Sequence, residues 1–161
     1  MPKLTPFLWF DNQAEEAAAF YISVFPNSRI VRVMRNSAST PGETGAVLTV
    51  DLILDGQPVT FLNGGPAFKF SDAFSFVVHC ADQAEVDRLW DALSSSGGQV
   101  ERCGWLKDRY GVSWQIVPSV LPELLGGPDR KGAERAMQAM MQMIKLDIAA
   151  LKRAYEGRPA A

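Results

Sequence analysis

Thr5-Pro6-Phe7-Leu8-Trp9-Phe10-Asp11-Asn12-Gln13-Ala14-Glu15 and Ser75-Phe76-Val77-Val78-His79-Cys80-Ala81-Asp82-Gln83-Ala84-Glu85 share one design, an apolar strand running into a helix start. In each copy an Asn or Asp precedes a Glu by three residues. That spacing predicts a capping box, in which Asn12 or Asp82 accepts from first-turn amides and Glu15 or Glu85 reaches back to the cap. A second echo joins Asp55-Gly56-Gln57-Pro58-Val59-Thr60-Phe61-Leu62 to Tyr110-Gly111-Val112-Ser113-Trp114-Gln115-Ile116-Val117, each a glycine turn feeding a β-branched and aromatic strand. The chain therefore reads as two copies of one strand–helix–strands module.

Working outward, helix one is predicted over about 13–25, with Ala17, Phe20, Tyr21 and Val24 at helical spacing and Pro26 ending the run. Strands follow at about 28–35, 46–54 and 58–63, the last two joined across Asp55-Gly56, a hairpin signal. The polar stretch 36–43 is expected to be a mobile loop. In the second copy a strand over 74–80 leads to a helix over 83–95 whose apolar face is Val86, Leu89, Trp90 and Leu93. Short strands are expected at 99–102, 104–107 and 112–118. The turn Asp108-Arg109-Tyr110-Gly111 reads as solvated. Beyond it the tail is helical. Ala136, Met137, Met140, Met141 and Ile144 form one stripe, Asp147 is an N-cap with Leu146 and Leu151 as a hydrophobic staple, and Gly157 is a stop.

With 161 residues, 47% hydrophobic and 21% charged, the chain suits one compact domain made of two half-size modules, 1–66 and 74–118, plus a tail over 121–157. Sixteen Lys and Arg against 18 Asp and Glu leave no basic surface for a phosphate backbone, so nucleic acid is not an expected partner. No apolar run reaches membrane-spanning length and the first residues lack a signal-peptide layout, which predicts a soluble cytoplasmic protein without a membrane partner. Cys80 and Cys103 are expected to be free thiols.

Several segments resemble a known family. The order βαβββ repeated twice is similar to the vicinal-oxygen-chelate superfamily of glyoxalase I, bleomycin-resistance proteins and extradiol dioxygenases. Thr5-Pro6-Phe7-Leu8, Phe61-Leu62-Asn63-Gly64-Gly65-Pro66 and the run from Cys103 to Pro118 resemble its PhnB-like branch, often labelled 3-demethylubiquinone-9 3-methyltransferase. The resemblance implies an α+β fold in which two βαβββ modules form a cupped, barrel-like mixed sheet followed by a helical tail. In metal-dependent relatives the first and last strands of each module lend His or Glu ligands. The corresponding positions here are Thr5, Thr60, Ser75 and Gln115, none of which is a donor that zinc, iron or nickel sites rely on. No metal or other cofactor is therefore expected.

Strand alternation places His79, the single histidine, on one face with Ser75 and Val77, while Phe76, Val78 and Cys80 pack under the helix. As an imidazole it could serve as a base or donor. It could equally be a strand-end side chain bonded to a carbonyl. Trp9 is its counterpart in the first module, a pairing suited to a planar or apolar ligand. Thr5, Phe7, Trp9, Thr60, Ser75, Val77, His79 and Gln115, with Val117 beside them, would line an apolar cup with a few polar points. No catalytic residue is singled out, and Cys103 reads as structural because nothing cationic is placed to lower its pKa. The expected function is small-molecule binding without a metal, as opposed to a metal-assisted lyase or dioxygenase. A methyltransferase, as the family label implies, would need a glycine-rich strand-to-helix turn that Gly64-Gly65 and Gly97-Gly98 do not provide. The apolar stripe of the tail predicts a homodimer.

Overall fold

The structure is a computed structural model and describes residues 2–159. The chain divides into two compact units, Met1–Phe70 and Ser71–Ala161, and each carries one four-stranded mixed sheet. The architecture is α+β, two βαβββ modules with a C-terminal helical tail.

In the first unit β1 (Phe7–Phe10) leads to α1 (Ala14–Val24), then β2 (Arg29–Arg35), β3 (Val47–Leu54) and β4 (Gln57–Asn63), in sheet order β1-β4-β3-β2. β1 pairs in parallel with β4, so the chain must cross over the sheet between them, and α1 lies in that crossover. Alternation sends Leu8, Phe10, Val50, Leu52, Val59 and Phe61 to one face, all at least nine-tenths buried. That face receives Ala14, Ala17, Ala18, Tyr21 and Val24 of α1. The three alanines let the helix approach closely, and Tyr21 fills the remaining space edge-on to Phe61 at 5.7 Å. Asp55 and Gly56 take φ of 46° and 80°, the paired left-handed conformation that a two-residue hairpin of this type demands.

Helix α1 corrects the capping expectation. Its N-cap is Gln13, one residue later than Asn12, and carries no side-chain capping bond. The Ala14 amide donates instead to Asn63 Oδ1 at 2.8 Å, so β4 caps the helix that packs on it. Asn63 also donates to the Val47 carbonyl, tying the cap to β3. The loop 36–46 is closed at its base, where Asn36 N donates to Ala46 O and Gly45 N to Asn36 O.

The second unit repeats the plan with β5 (Ser75–Cys80), α2 (Gln83–Ser94), β6 (Gln99–Val100), β7 (Trp105–Lys107) and β8 (Ser113–Pro118), in order β5-β8-β7-β6. The predicted apolar face of α2 is buried in full, Val86, Leu89, Trp90 and Leu93, over Cys80, Leu106, Trp114 and Ile116. Asp82 Oδ1 accepts from Glu85 N at 2.9 Å, as a capping box requires, while Glu85 reaches back to Ala81 N, one residue beyond the cap. The phase of the internal repeat is preserved. Phe7 pairs with Thr60 and Val77 pairs with Gln115 on the same rung of the two modules.

The turn read as solvated proves to be a buried hub. Asp108 is 3% exposed. Its Oδ1 accepts from Tyr110 N and Val112 N, and its Oδ2 accepts from the Trp114 indole at 2.8 Å. A carboxylate leaves water readily only when donors of this kind replace it, and the turn supplies three. The indole contact explains the location: Trp114 is a core residue of β8 whose N–H needs a partner.

The tail contains α3 (Leu121–Leu125), α4 (Arg130–Met141) and α5 (Ile148–Glu156). Asp147 caps α5 by accepting from Ala150 N, and Gly157 ends it at φ 73°. Leu146 and Leu151 are fully buried with Leu121, Leu124 and Ala136, as the staple predicts, and Val117 of β8 packs against that cluster. Docking also explains Cys103-Gly104-Trp105. Cys103 and Gly104 both have positive φ, and their amides donate to the carbonyls of Met143 and Ile144. A Cβ on Gly104 would sit 2.9 Å from Ile116 O. From the other side, Gln83 donates to Leu146 O and accepts from Ile148 N, while Lys145 pairs with Asp87 at 2.9 Å. The Lys145 ammonium bonds the Asp87 carboxyl and holds it below its ordinary range. The tail is thus part of the second unit.

Replacing Asp108 by Ala strips three donors of their acceptor, two of them buried, and is expected to lower unfolding stability by about 3 kcal/mol. Asp108→Asn, which keeps one acceptor oxygen, loses less. Urea denaturation reads both, as a fall in midpoint at unchanged slope.

Candidate functional site

Each sheet has one face packed under its helix and one face turned away from it. The face away from α1 carries Phe7 and Trp9 on β1, Thr60 and Leu62 on β4, and Thr49 and Asp51 on β3. Thr5 precedes β1 and is exposed, so it belongs to the approach to the strand and not to the sheet. Pro6, which has no N–H, uses its carbonyl to accept from Thr60 N just outside β1.

Three side chains on this face form a chain of hydrogen bonds. Thr60 Oγ1 donates to Asp51 Oδ1 at 2.8 Å, and Arg32 of β2 donates to Asp51 Oδ2 through Nε and Nη2 at 3.0 and 2.7 Å. The registers Asp51 to Thr60 and Arg32 to Asp51 put the three side by side on consecutive strands. Sequence reasoning selected Thr60 and missed its neighbours. The available signal was parity: Asp51 is the polar position in Val50-Asp51-Leu52, opposite the core face.

Trp9 has a structural task. Its indole donates to Gly65 O at 2.9 Å, meets Phe68 edge-on at 4.9 Å, and lies against Gly64 so closely that a Cβ there would overlap the ring. The glycine pair is the seat of the Trp9 side chain. Next to it, Asp11, Asn12, Glu15, Asn36, Asn63 and Gly64 line a cleft of about 500 Å³ that the sequence did not disclose. The loop 36–46 closes one side of it through Asn36, Gly42 and Ala46.

In the second unit the face away from α2 carries Ser75, Val77 and His79 on β5, Ser113, Gln115 and Val117 on β8, and Trp105 and Lys107 on β7. The parity expected for His79 holds within this unit, since Cys80 is fully buried while His79 is exposed. The His79 imidazole makes no hydrogen bond to any described residue, while its backbone lies in the ladder opposite Val117. Gln115 Nε2 donates to Ser75 Oγ at 2.9 Å. Val117, half-buried, packs against the tail cluster described above. Lys107 pairs with Asp72 at 2.8 Å and lies 3.7 Å from Glu101, and the hydrogen bond to Asp72 raises its pKa. Ser113 is 1% exposed and its hydroxyl has no hydrogen-bond partner.

The donor set does not suit a transition metal. Thr60, Ser75 and Gln115 are neutral, and each is already hydrogen-bonded to a side-chain neighbour. Among the described residues no three His, Cys, Asp or Glu side chains converge as metal ligands. Cys80 and Cys103 are both free. Cys80 lies under α2, where burial, with the Glu85 charge adding, pushes its thiol up to about 11. Cys103 is half-buried with its sulfur 3.9 Å from Met141 Sδ.

Two βαβββ modules with parallel first and last strands are the architecture of the vicinal-oxygen-chelate superfamily, to which this protein belongs. Residues 2–117 match the family described as 3-demethylubiquinone-9 3-methyltransferase, and the chain is a member of that family, in its PhnB-like branch. The chain is 34% identical to the PhnB protein from Bacillus cereus over 73% of its own length and 99% of that chain, with a TM-score of 0.66. Protein PA1353 from Pseudomonas aeruginosa shares the fold at 20% identity and a TM-score of 0.61, covering 73% of this chain and 98% of that one. The fosfomycin resistance protein FosX from Listeria monocytogenes, solved with Mn(II) and sulfate, shares it at 12% identity, with a TM-score of 0.53 and 78% and 98% coverage. No curated protein matches the sequence. Among the described residues no helix is long and apolar enough to cross a membrane.

A thiol reagent should separate the two cysteines. Because the Cys80 thiol stays protonated below about pH 11, the native protein at pH 8 is expected to release one equivalent of thionitrobenzoate from Ellman's reagent, from Cys103, and two after unfolding.

Proposed function

We propose that this protein binds a small organic molecule on the sheet faces turned away from α1 and α2, and that it does so without a transition metal. The observation that carries the reading is the equivalent rung of the two modules. There Thr60 and Gln115 stand where metal-dependent relatives of this fold place ligands, and both are engaged as hydrogen-bonding groups beside apolar neighbours, Phe7 and Val77, that are 60% and 44% exposed. A few oriented polar atoms among apolar side chains is the makeup of a small-molecule site. Thr5, Trp9, Ser75 and His79 complete the proposed lining. Trp9, half-buried and with its N–H held by Gly65, contributes ring surface there. A planar or apolar ligand fits these surfaces best.

Metal-assisted lyase or dioxygenase chemistry would need carboxylate or imidazole donors that these positions do not hold. Methyl transfer, despite the family's description, would need a cofactor cradle. Gly64 and Gly65 follow β4 and seat Trp9, while Gly97 and Gly98 follow α2, so neither pair opens a helix after a strand. The free thiols favour a reducing, cytoplasmic setting. We also place the protein in a homodimer through the outer side of the tail, where Met137, Met141 and Ile144 remain exposed after Ala136, Leu146 and Leu151 are buried.

Two measurements check these statements. Elemental analysis of the purified protein is expected to find no stoichiometric zinc, nickel, iron or manganese, and calorimetry with a panel of neutral planar compounds is expected to find a saturable one-to-one ligand. A full equivalent of metal lost together with activity on chelation would refute the metal-independent reading. Light scattering is expected to give twice the chain mass, falling to the monomer in the Met141→Lys, Ile144→Lys double variant. A monomeric wild-type protein would refute the dimer.

A further inference from the structure

The second unit's open face holds a feature that apolar ligand binding does not use. Lys107, Ser113 and Ser75 stand side by side on β7, β8 and β5, since Ser113 pairs with both of the others, and Gln115 on the next rung donates to Ser75. All lie on one face because their neighbours Leu106, Trp114 and Ile116 occupy the other, under α2. The row thus contains one ammonium, two hydroxyls and one amide. No acid belongs to its strands. The hydroxyl in the middle, Ser113 Oγ, is buried and bonded to nothing. A buried hydroxyl without a partner is rare in folded proteins and marks a place where an acceptor belongs.

The carboxylates that reach the row come from outside its strands: Asp72 at 2.8 Å from Lys107 Nζ and, more loosely, Glu101 at 3.7 Å. Asp72 sits three residues before β5, and its side chain meets Lys107 although β8 lies between β5 and β7. The ion pair therefore spans β8 beside Ser113. Asp72 is 55% exposed and stands in a turn, so its hold on the lysine is that of a surface pair, which contributes little and exchanges readily. Trp105, half-buried on the rung next to Lys107, pairs with Gln115 and offers a flat wall beside the polar row.

We propose that Lys107, Ser113, Ser75 and Gln115 form an anion-binding row that takes the carboxylate of a flat aromatic acid in the place now held by Asp72, with the ring against Trp105. This rests on the reading of the open sheet face as a small-molecule site and adds the charge of its ligand. The ligand carboxylate accepts from Lys107 Nζ and from the Ser113 hydroxyl, which supplies the missing acceptor. Asp72 then acts as an internal competitor that occupies the Lys107 ammonium when no ligand is bound.

The test uses the intact protein and benzoate as probe, with benzamide as its neutral counterpart, by isothermal titration calorimetry. Benzoate is expected to bind one-to-one and benzamide at least about tenfold more weakly, since a hydrogen bond to a charged group is at stake. Lys107→Met and Ser113→Ala should each weaken benzoate about tenfold. Asp72→Asn should strengthen it several-fold by removing the competitor. Ser113→Ala should leave the melting temperature unchanged or higher, because its hydroxyl bonds nothing in the free protein. Equal binding of benzoate and benzamide, or an Asp72→Asn variant that binds benzoate no better than wild type, overturns the anion row and leaves the small-molecule site standing. Absence of benzoate binding also overturns it, and the neutral planar panel then decides separately whether the open faces bind small molecules.

Discussion

Everything in each module follows from the parallel pairing of its first strand with its last. Parallel strands cannot be joined by a tight turn, so the chain must leave the sheet and return, and a helix is the compact way to cover the apolar face on the way. α1 and α2 meet that requirement with different packing. α1 comes close through Ala14, Ala17 and Ala18, while α2 stands over its sheet on Val86, Leu89, Trp90 and Leu93. Once the register Phe7 to Thr60 and Val77 to Gln115 is set, strand alternation assigns every other side chain to core or open face. A slip of one residue would exchange the two faces completely. Burial under the helix of Leu8, Phe10, Val59 and Phe61 in the first module and of Cys80, Trp114 and Ile116 in the second makes such a slip very costly.

The polar groups obey the same logic, because a buried donor or acceptor has to be satisfied by whatever the register brings near it. Asn63 caps α1 from β4, Asp108 collects the Trp114 indole and two turn amides, and Gln83 holds both ends of the segment from Leu146 to Ile148. The Asn63 and Gln83 bonds tie elements distant in sequence, while those of Asp108 close the turn between β7 and β8 on itself. Together with the Cys103-Gly104 amides they make the tail a structural part of the second module. With Leu121, Leu124, Ala136, Leu146 and Leu151 in the tail's core, its exposed large apolar side chains among the described residues are Met137, Met141 and Ile144.

The open faces differ in chemistry although their frames are the same. On the first, Arg32, Asp51 and Thr60 satisfy one another and leave no charge unpaired. On the second, the compensation of Lys107 comes from outside the strands, from Asp72 and more loosely Glu101, and the Ser113 hydroxyl is left over. A repeat that duplicates backbone register does not duplicate side chains, so equivalent rungs carry different chemistry in the two modules. The glycines fit this picture: Gly64 exists for the Trp9 ring and Gly104 for the approach of the tail, so neither resembles a phosphate or nucleotide cradle.

The alternation and helical spacing in the chain by themselves determined the element order, the Asp55-Gly56 hairpin, the apolar face of α2, the Asp147 cap and Gly157 stop, and the parity that exposes His79. These are local consequences of period two, period 3.6 and turn chemistry, carried by residues close together in sequence. Only the tertiary structure decided that Asn63 and not Asn12 caps α1, that Asp108 is buried, that Val117 packs on the tail, and that Asp51, Arg32, Lys107 and Ser113 lie on the same sheet faces as Thr60 and Gln115. The reason is physical: Asn63, Asp51 and Lys107 meet partners on other strands or segments, set by register and packing, while the Asp108 turn is local in sequence but is buried only because Trp114 of β8 lies in the core and needs an acceptor.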